Sequence, residues 1–173
     1  VVEVGRDGDH DSIRLLIIQR AAAVIVDSVQ DERRELLWCE LAPVDVDSQD
    51  RVFVFCRSAS PVPPLMVFDC DGRLLDSWGD GKFARPHGVA VAPDDSVFLI
   101  DDWGHAVYKF TPQGELLMTL GTPGKESDTG VTNSDYRTLK QVAGPFNMPT
   151  NVAFSAEGDI YVADGYGNAR VHR

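Results

Sequence analysis

The chain has 173 residues, 43% of them hydrophobic, with 27 acidic against 16 basic side chains and a formal net charge of −11. That apolar content supports a packed core and excludes wholesale disorder, while the acidic balance argues against nucleic acid or an anionic membrane as partner, since both demand clustered Lys and Arg. No window is long and apolar enough to span a bilayer, and the sequence starts without Met or a basic-then-apolar leader, so no signal peptide is expected within it.

Residues 1–40 form a segment apart. "DSIRLLIIQRAAAVIVDSVQDERRELLW" suits a helix capped by Asp11 or Ser12, yet its runs "LLII" and "AVIV" suit strands equally well. Cys39, Cys56 and Cys70 cannot all pair within one chain, and no Cys/His spacing matches a zinc site. Cys56 lies inside "RVFVFC" and reads as a small buried hydrophobe. These cysteines do not fix the compartment.

From residue 41 the sequence becomes repetitive. "LAPVDVDSQDRVFVFCRS", "RPHGVAVAPDDSVFLIDD" and "MPTNVAFSAEGDIYVADG" each carry a proline, a short Val-x-Val or Val-x-Phe run, a polar turn and a second apolar strand. "LMVFDCDGRLLDSWG" and "AVYKFTPQGELLMTLG" each add a strand, an Xaa-Gly turn, a strand and a glycine exit. Around the middle copy the strands are "GVAVA", "SVFLI" and "AVYKF", set off by Pro93-Asp94-Asp95, Trp103-Gly104 and Pro112-Gln113-Gly114. Four short strands per unit of about 40–45 residues is the β-propeller period; an antiparallel sandwich lacks these matched offsets. Residues 41–173 are therefore expected to be all-β, supplying two blades and part of a third. Since a propeller closes with about 4–8 blades, the missing ones are expected from the rest of a longer chain or from self-association. Residues 122–147, "TPGKESDTGVTNSDYRTLKQVAGPFN", are expected to form a long loop over one end, of a length uncommon unless functional or disordered.

"PHGVAV", "DDWGHAVYKF" and "ADGYGNARV" resemble NHL repeats, and more narrowly the lyase domain of peptide-amidating enzymes, the peptidyl-α-hydroxyglycine α-amidating lyases, over about residues 42–173. The resemblance implies a six-bladed propeller with zinc in its central channel. It implies His87, in Pro-His-Gly, as one zinc ligand, and Tyr166, in Asp-Gly-Tyr, as the base. It implies Arg57, at the end of "VFVFCR", as the group that holds substrate charge, with further zinc histidines beyond residue 173. Gly167 stands where animal members carry a cysteine, so that disulfide is absent. The implied reaction cleaves the N–C bond of a carbinolamide to a peptide amide and glyoxylate. An extracytoplasmic location and a small-molecule or peptide substrate also follow only from the resemblance.

The residues have plainer readings too. His87 can cap a turn, Tyr166 can pack as a turn aromatic, and Arg57 can pair with a neighbouring carboxylate. His105 reads as structural, and His10 and His172 have no evident partner. Asp101, Asp102 and Asp164 suit calcium as clustered oxygens, but fit better as acceptors of backbone bonds in turns. A non-catalytic NHL propeller, binding protein or ligand across one face, is the alternative to the lyase. Under the lyase reading His87, Tyr166 and Arg57 converge in the channel. Under the alternative, His87 points into a blade core or bonds a backbone carbonyl.

Overall fold

The computed structural model describes residues 41–57 and 63–173 of the chain. The readings of residues 1–40, including His10 and Cys39, lie outside them.

Two four-stranded antiparallel sheets and one three-stranded sheet follow one another along the chain. Blade 1 contains β1 (Leu41–Val46), β2 (Val52–Cys56), β3 (Leu65–Phe68) and β4 (Leu74–Trp78). Blade 2 contains β5 (Pro86–Val91), β6 (Val97–Asp101), β7 (Ala106–Phe110) and β8 (Leu116–Gly121). Blade 3 contains β9 (Asn151–Phe154), β10 (Ile160–Asp164) and β11 (Arg170–His172), with a one-turn helix, α1 (Gly165–Asn168), between the last two. Within each blade every strand pairs with its sequence neighbour, and the first strands β1, β5 and β9 lie side by side. This is the up-and-down blade of a propeller. The expected runs "GVAVA", "SVFLI" and "AVYKF" are β5, β6 and β7.

Alternation along the strands makes the blades stack. In β2, Val52, Val54 and Cys56 face one way, with Met66 and Phe68 of β3. Phe53 and Phe55 face the other way and meet Val89, Val97, Leu99 and Phe110 of blade 2. From the far face of blade 2, Phe98 and Ile100 meet Phe146, Val152 and Val162. A middle strand is thus buried on both faces, which is why β2 and β6 read as unbroken apolar runs. The outermost strands β4 and β8 leave Leu74, Leu75, Leu116 and Leu117 exposed.

The same turn recurs in each blade. Asp50, Asp95 and Gly158 donate to the carbonyls of Asp47, Ala92 and Ser155, and all three have positive φ, at 58, 62 and 89°. Asp and Gly are among the residues that tolerate this conformation. Two sequence readings need correction. Cys56 is fully buried but is disulfide-bonded rather than a plain hydrophobe, while Cys70 is a free, exposed thiol. His172 does have partners: its Nε2 donates to Asp164 Oδ2 at 3.1 Å and its ring meets Phe146 edge-on.

Residues 122–150 contain no strand beyond an isolated bridge between Thr132 and Asp135, plus a 3-10 turn at Tyr136–Thr138. They are tied to α1 by polar bonds. Thr129 Oγ1 donates to Gly167 O at 2.6 Å, and Asn168 exchanges two bonds with the Ala143 backbone. Among the described residues no helix is long and apolar enough to cross a membrane.

Candidate functional site

The site lies where the inner strands begin. Before β5 the chain arrives through Ala84 and Arg85, whose backbone N–H groups both donate to Asp101, at 2.7 and 2.8 Å. Asp101 accepts a third bond from Gly104 N at 2.8 Å. Blade 3 repeats the clamp: Asp164 accepts from Asn147 N, Asn168 Nδ2 and His172 Nε2. Both carboxylates are essentially fully buried, and each ties down the chain just ahead of its own blade's inner strand. The Asp101 and Asp164 oxygens thus serve as turn and strand-entry acceptors.

His87, second residue of β5, reaches across to blade 3. Its Nδ1 lies 3.0 Å from the Thr150 carbonyl oxygen. A carbonyl can only accept, so Nδ1 carries the proton and, in the neutral ring, Nε2 keeps its lone pair. Gly88 makes this approach feasible, since a Cβ there would stand 2.7 Å from the same Thr150 oxygen. Nε2 lies 3.9 Å from Asp102 Oδ2, and the imidazole meets the Tyr166 ring edge-on at 5.7 Å between centroids. His105 is set the other way. Its Nδ1 accepts from Met148 N at 3.2 Å, which places its proton on Nε2 and makes it a structural brace between blades.

The structure thus brings His87 and Tyr166 into contact. Arg57 joins them at one remove: its Nε donates to the Pro86 carbonyl at 2.7 Å, on the residue preceding His87. Tyr166 sits in α1, half exposed, and is held from below by Gly167, whose N–H donates to Asn147 O at 3.0 Å. Gly167 is itself packed so closely on the Asn147 side chain that no Cβ fits.

Sequence reasoning missed Arg85 and its partners. Arg85 Nε donates to Asp102 Oδ1 at 2.7 Å, and its Nη2 contacts the other carboxylate oxygen. The guanidinium also lies over the Trp103 ring, 4.2 Å from its centroid. The Asp102 hydrogen bond raises the Arg85 pKa; burial opposes that shift, and the charge of Asp102 and smaller influences from Tyr166 and Asp101 reinforce it. One signal was available: aligning "DDWGHA" with "DGYGNA" puts Trp103 in blade 2 where Tyr166 stands in blade 3.

His87 has the outline of a metal ligand: one ring nitrogen is fixed by a carbonyl, the other keeps its lone pair in the neutral ring, and the side chain is partly exposed. Ligating histidines ordinarily hold their second nitrogen in this way. It is one ligand and not a set, for among the described residues no three His, Cys, Asp or Glu side chains are grouped to hold a metal.

The sequence model for the NHL repeat matches residues 146–173. The chain is 38% identical over 110 residues to peptidyl-alpha-hydroxyglycine alpha-amidating lyase 1 of Drosophila melanogaster, an alignment covering 62% of this chain and 18% of the relative. It is 30% identical over 131 residues to NHL repeat-containing protein 3 of Homo sapiens, covering 72% of this chain and 34% of that protein. The chain therefore spans between about a fifth and a third of these relatives' length. Among solved structures, a virginiamycin B lyase from Staphylococcus aureus superposes with a TM-score of 0.52 at 14% identity, over 76% of this chain and 36% of the other. At that identity the likeness concerns the fold alone.

Proposed function

With the chain an NHL-type propeller that resembles the amidating lyases, we propose that His87, Tyr166 and Arg57 form one side of a lyase site that splits a peptidyl carbinolamide into a peptide amide and glyoxylate. The observation that carries this reading is the contact between His87 and Tyr166, two residues from different blades that the resemblance alone had paired. In the reaction the carbinol hydroxyl gives up its proton, its C–O bond becomes a carbonyl as the C–N bond breaks, and the departing amide nitrogen takes a proton. Atoms balance without water or a redox partner.

In this reading Tyr166 takes the hydroxyl proton. A phenol has an ordinary pKa of about 10, so the base needs positive potential beside it. Arg85 contributes some, reduced by the Asp102 carboxylate it binds; Arg57, anchored to the carbonyl of the residue preceding His87, is the group assigned to the substrate carboxylate, a pairing guanidinium makes well. His87 Nε2 is the position for zinc, together with ligands from other parts of the protein. When bound, zinc supplies Lewis acidity that makes the carbinol hydroxyl a workable acid. The disulfide at Cys56 supports an oxidising, extracytoplasmic setting.

The alternative, a propeller that binds a ligand or protein without chemistry, has its own support, because the bond from His87 to the Thr150 carbonyl is what that reading expects. The same bond also suits a ligand histidine, so the choice falls to activity. Full-length protein supplied with zinc should release glyoxylate from N-acetyl-α-hydroxyglycine. Tyr166→Phe should lower kcat by about 10²–10⁴-fold, the range of a lost general base, while leaving zinc content unchanged. A wild-type protein that binds zinc yet releases no glyoxylate would leave the binding module as the better reading.

A further inference from the structure

Among the described residues, the aromatic side chains classed as exposed are Trp103, Tyr136 and Tyr166, at 57, 62 and 46%. All three belong to the end of the propeller that carries His87: Trp103 follows Asp102, Tyr166 lies in α1, and the turn beginning at Tyr136 packs against α1. Solitary exposed apolar groups need no explanation, but aromatics gathered at one mouth do.

Trp103 is the one most firmly held. Asp102, fully buried, accepts from Trp103 N at 2.8 Å and binds Arg85 through both its oxygens. Arg85 in turn covers one face of the indole. Backbone and ring are therefore fixed through a single carboxylate, whose Oδ2 also lies 3.9 Å from His87 Nε2. With one face taken by a guanidinium, Trp103 as a residue still remains exposed. Such a group is organised before any ligand arrives, so little ordering cost falls on binding.

We infer that Trp103 is the platform for the substrate side chain preceding the cleaved carbinol unit, and that it selects an apolar or aromatic one. The inference rests on the lyase reading for which bond is cleaved, but the platform itself rests on the geometry around Arg85. A second cation is a poor guest on this ring, because the guanidinium on the first face already engages the π system and repels like charge. An aromatic or aliphatic side chain gains from stacking and from removing exposed indole surface from water. Blade symmetry agrees: Trp103 occupies in blade 2 the place of Tyr166 in blade 3, so the reacting centre and the side-chain platform occupy equivalent corners of adjacent blades.

Product-type amides test this without any turnover. Binding of N-acetyl-phenylalaninamide, N-acetyl-lysinamide and N-acetyl-glycinamide to the full-length protein would be measured by calorimetry, for wild type, Trp103→Ala and Trp103→Phe. The phenylalanine amide should bind about tenfold more tightly than the other two. That preference should vanish in Trp103→Ala and largely return in Trp103→Phe. Equal affinity for the three amides in wild type, or a preference that survives Trp103→Ala, overturns the platform. Glyoxylate release from N-acetyl-α-hydroxyglycine, which has no such side chain, reports on the lyase reading separately. Turnover without side-chain preference removes the platform alone; preference without turnover upholds the platform and removes the lyase.

Discussion

His87 and His105 belong to the same blade, yet their partners commit them to opposite tautomers. The Thr150 carbonyl holds the His87 proton on Nδ1, while Met148 N–H holds the His105 proton on Nε2. In the neutral ring the second nitrogen of His87 keeps its lone pair, on the side that lies 3.9 Å from Asp102. Gly88 is the residue that permits this, and not through any unusual backbone angle: the Thr150 oxygen occupies the space a Cβ would need. Gly88→Ala should therefore destabilise the protein by about 1–3 kcal/mol, the usual cost of overpacking, and should loosen His87. Urea denaturation checks the first effect. The His87 imidazole resonances check the second, through faster exchange of the Nδ1 proton with water. A variant as stable as wild type, with the Nδ1 proton still protected, would mean the carbonyl can yield without cost.

Among elements, the strand-entry clamps decide where the site residues stand. Asp101 takes three backbone N–H donors, two of them from Ala84 and Arg85 just ahead of His87. Asp101→Ala leaves those donors buried without the carboxylate and should cost about 3–5 kcal/mol, read from the urea midpoint; a loss below about 1 kcal/mol would mean that water replaces the carboxylate. The turn between β5 and β6 offers a test in pH. Asp94 is held down to about 2 from the usual 3.8, first by its hydrogen bond from Ser96, with burial opposing the shift and the hydrogen bond and charge of Lys109 adding to it. Its folded pKa is depressed, so its contribution is full above the unfolded value and is lost as pH falls through the folded one. The stability difference between wild type and Asp94→Asn should be flat from neutral pH to about pH 5, then shrink between about pH 4 and about pH 2. A difference that persists unchanged to pH 2 would show that the charge is not what holds the turn.

At the scale of the whole molecule, the blades were legible because a propeller strand alternates and its neighbours repeat it. "VFVFC" and "VFLID" are buried on both faces, and turns such as "PDDS" and "AEGD" recur in register. His87 and Tyr166 could be paired only by resemblance, since nothing in their spacing says that α1 leans over β5. Arg85 and Trp103 stayed hidden for a different reason. Their interest lies in mutual contact through a buried Asp102, which reads in sequence as one more turn aspartate. His172 was obscured likewise, because Asp164 reaches it from across a hairpin. The cysteines misled through composition: a cysteine in an apolar strand looks the same whether free or bonded.

The most direct test of the proposed site is zinc itself. Full-length wild-type protein and its His87→Ala variant would be dialysed extensively and their metal content determined by elemental analysis. About one zinc per chain in the wild type, lost in a variant that remains folded, is the expected result for a ligand histidine. Zinc absent from both proteins, or retained equally by both, would contradict the assignment of His87 and leave its bond to Thr150 as a purely structural tie between blades.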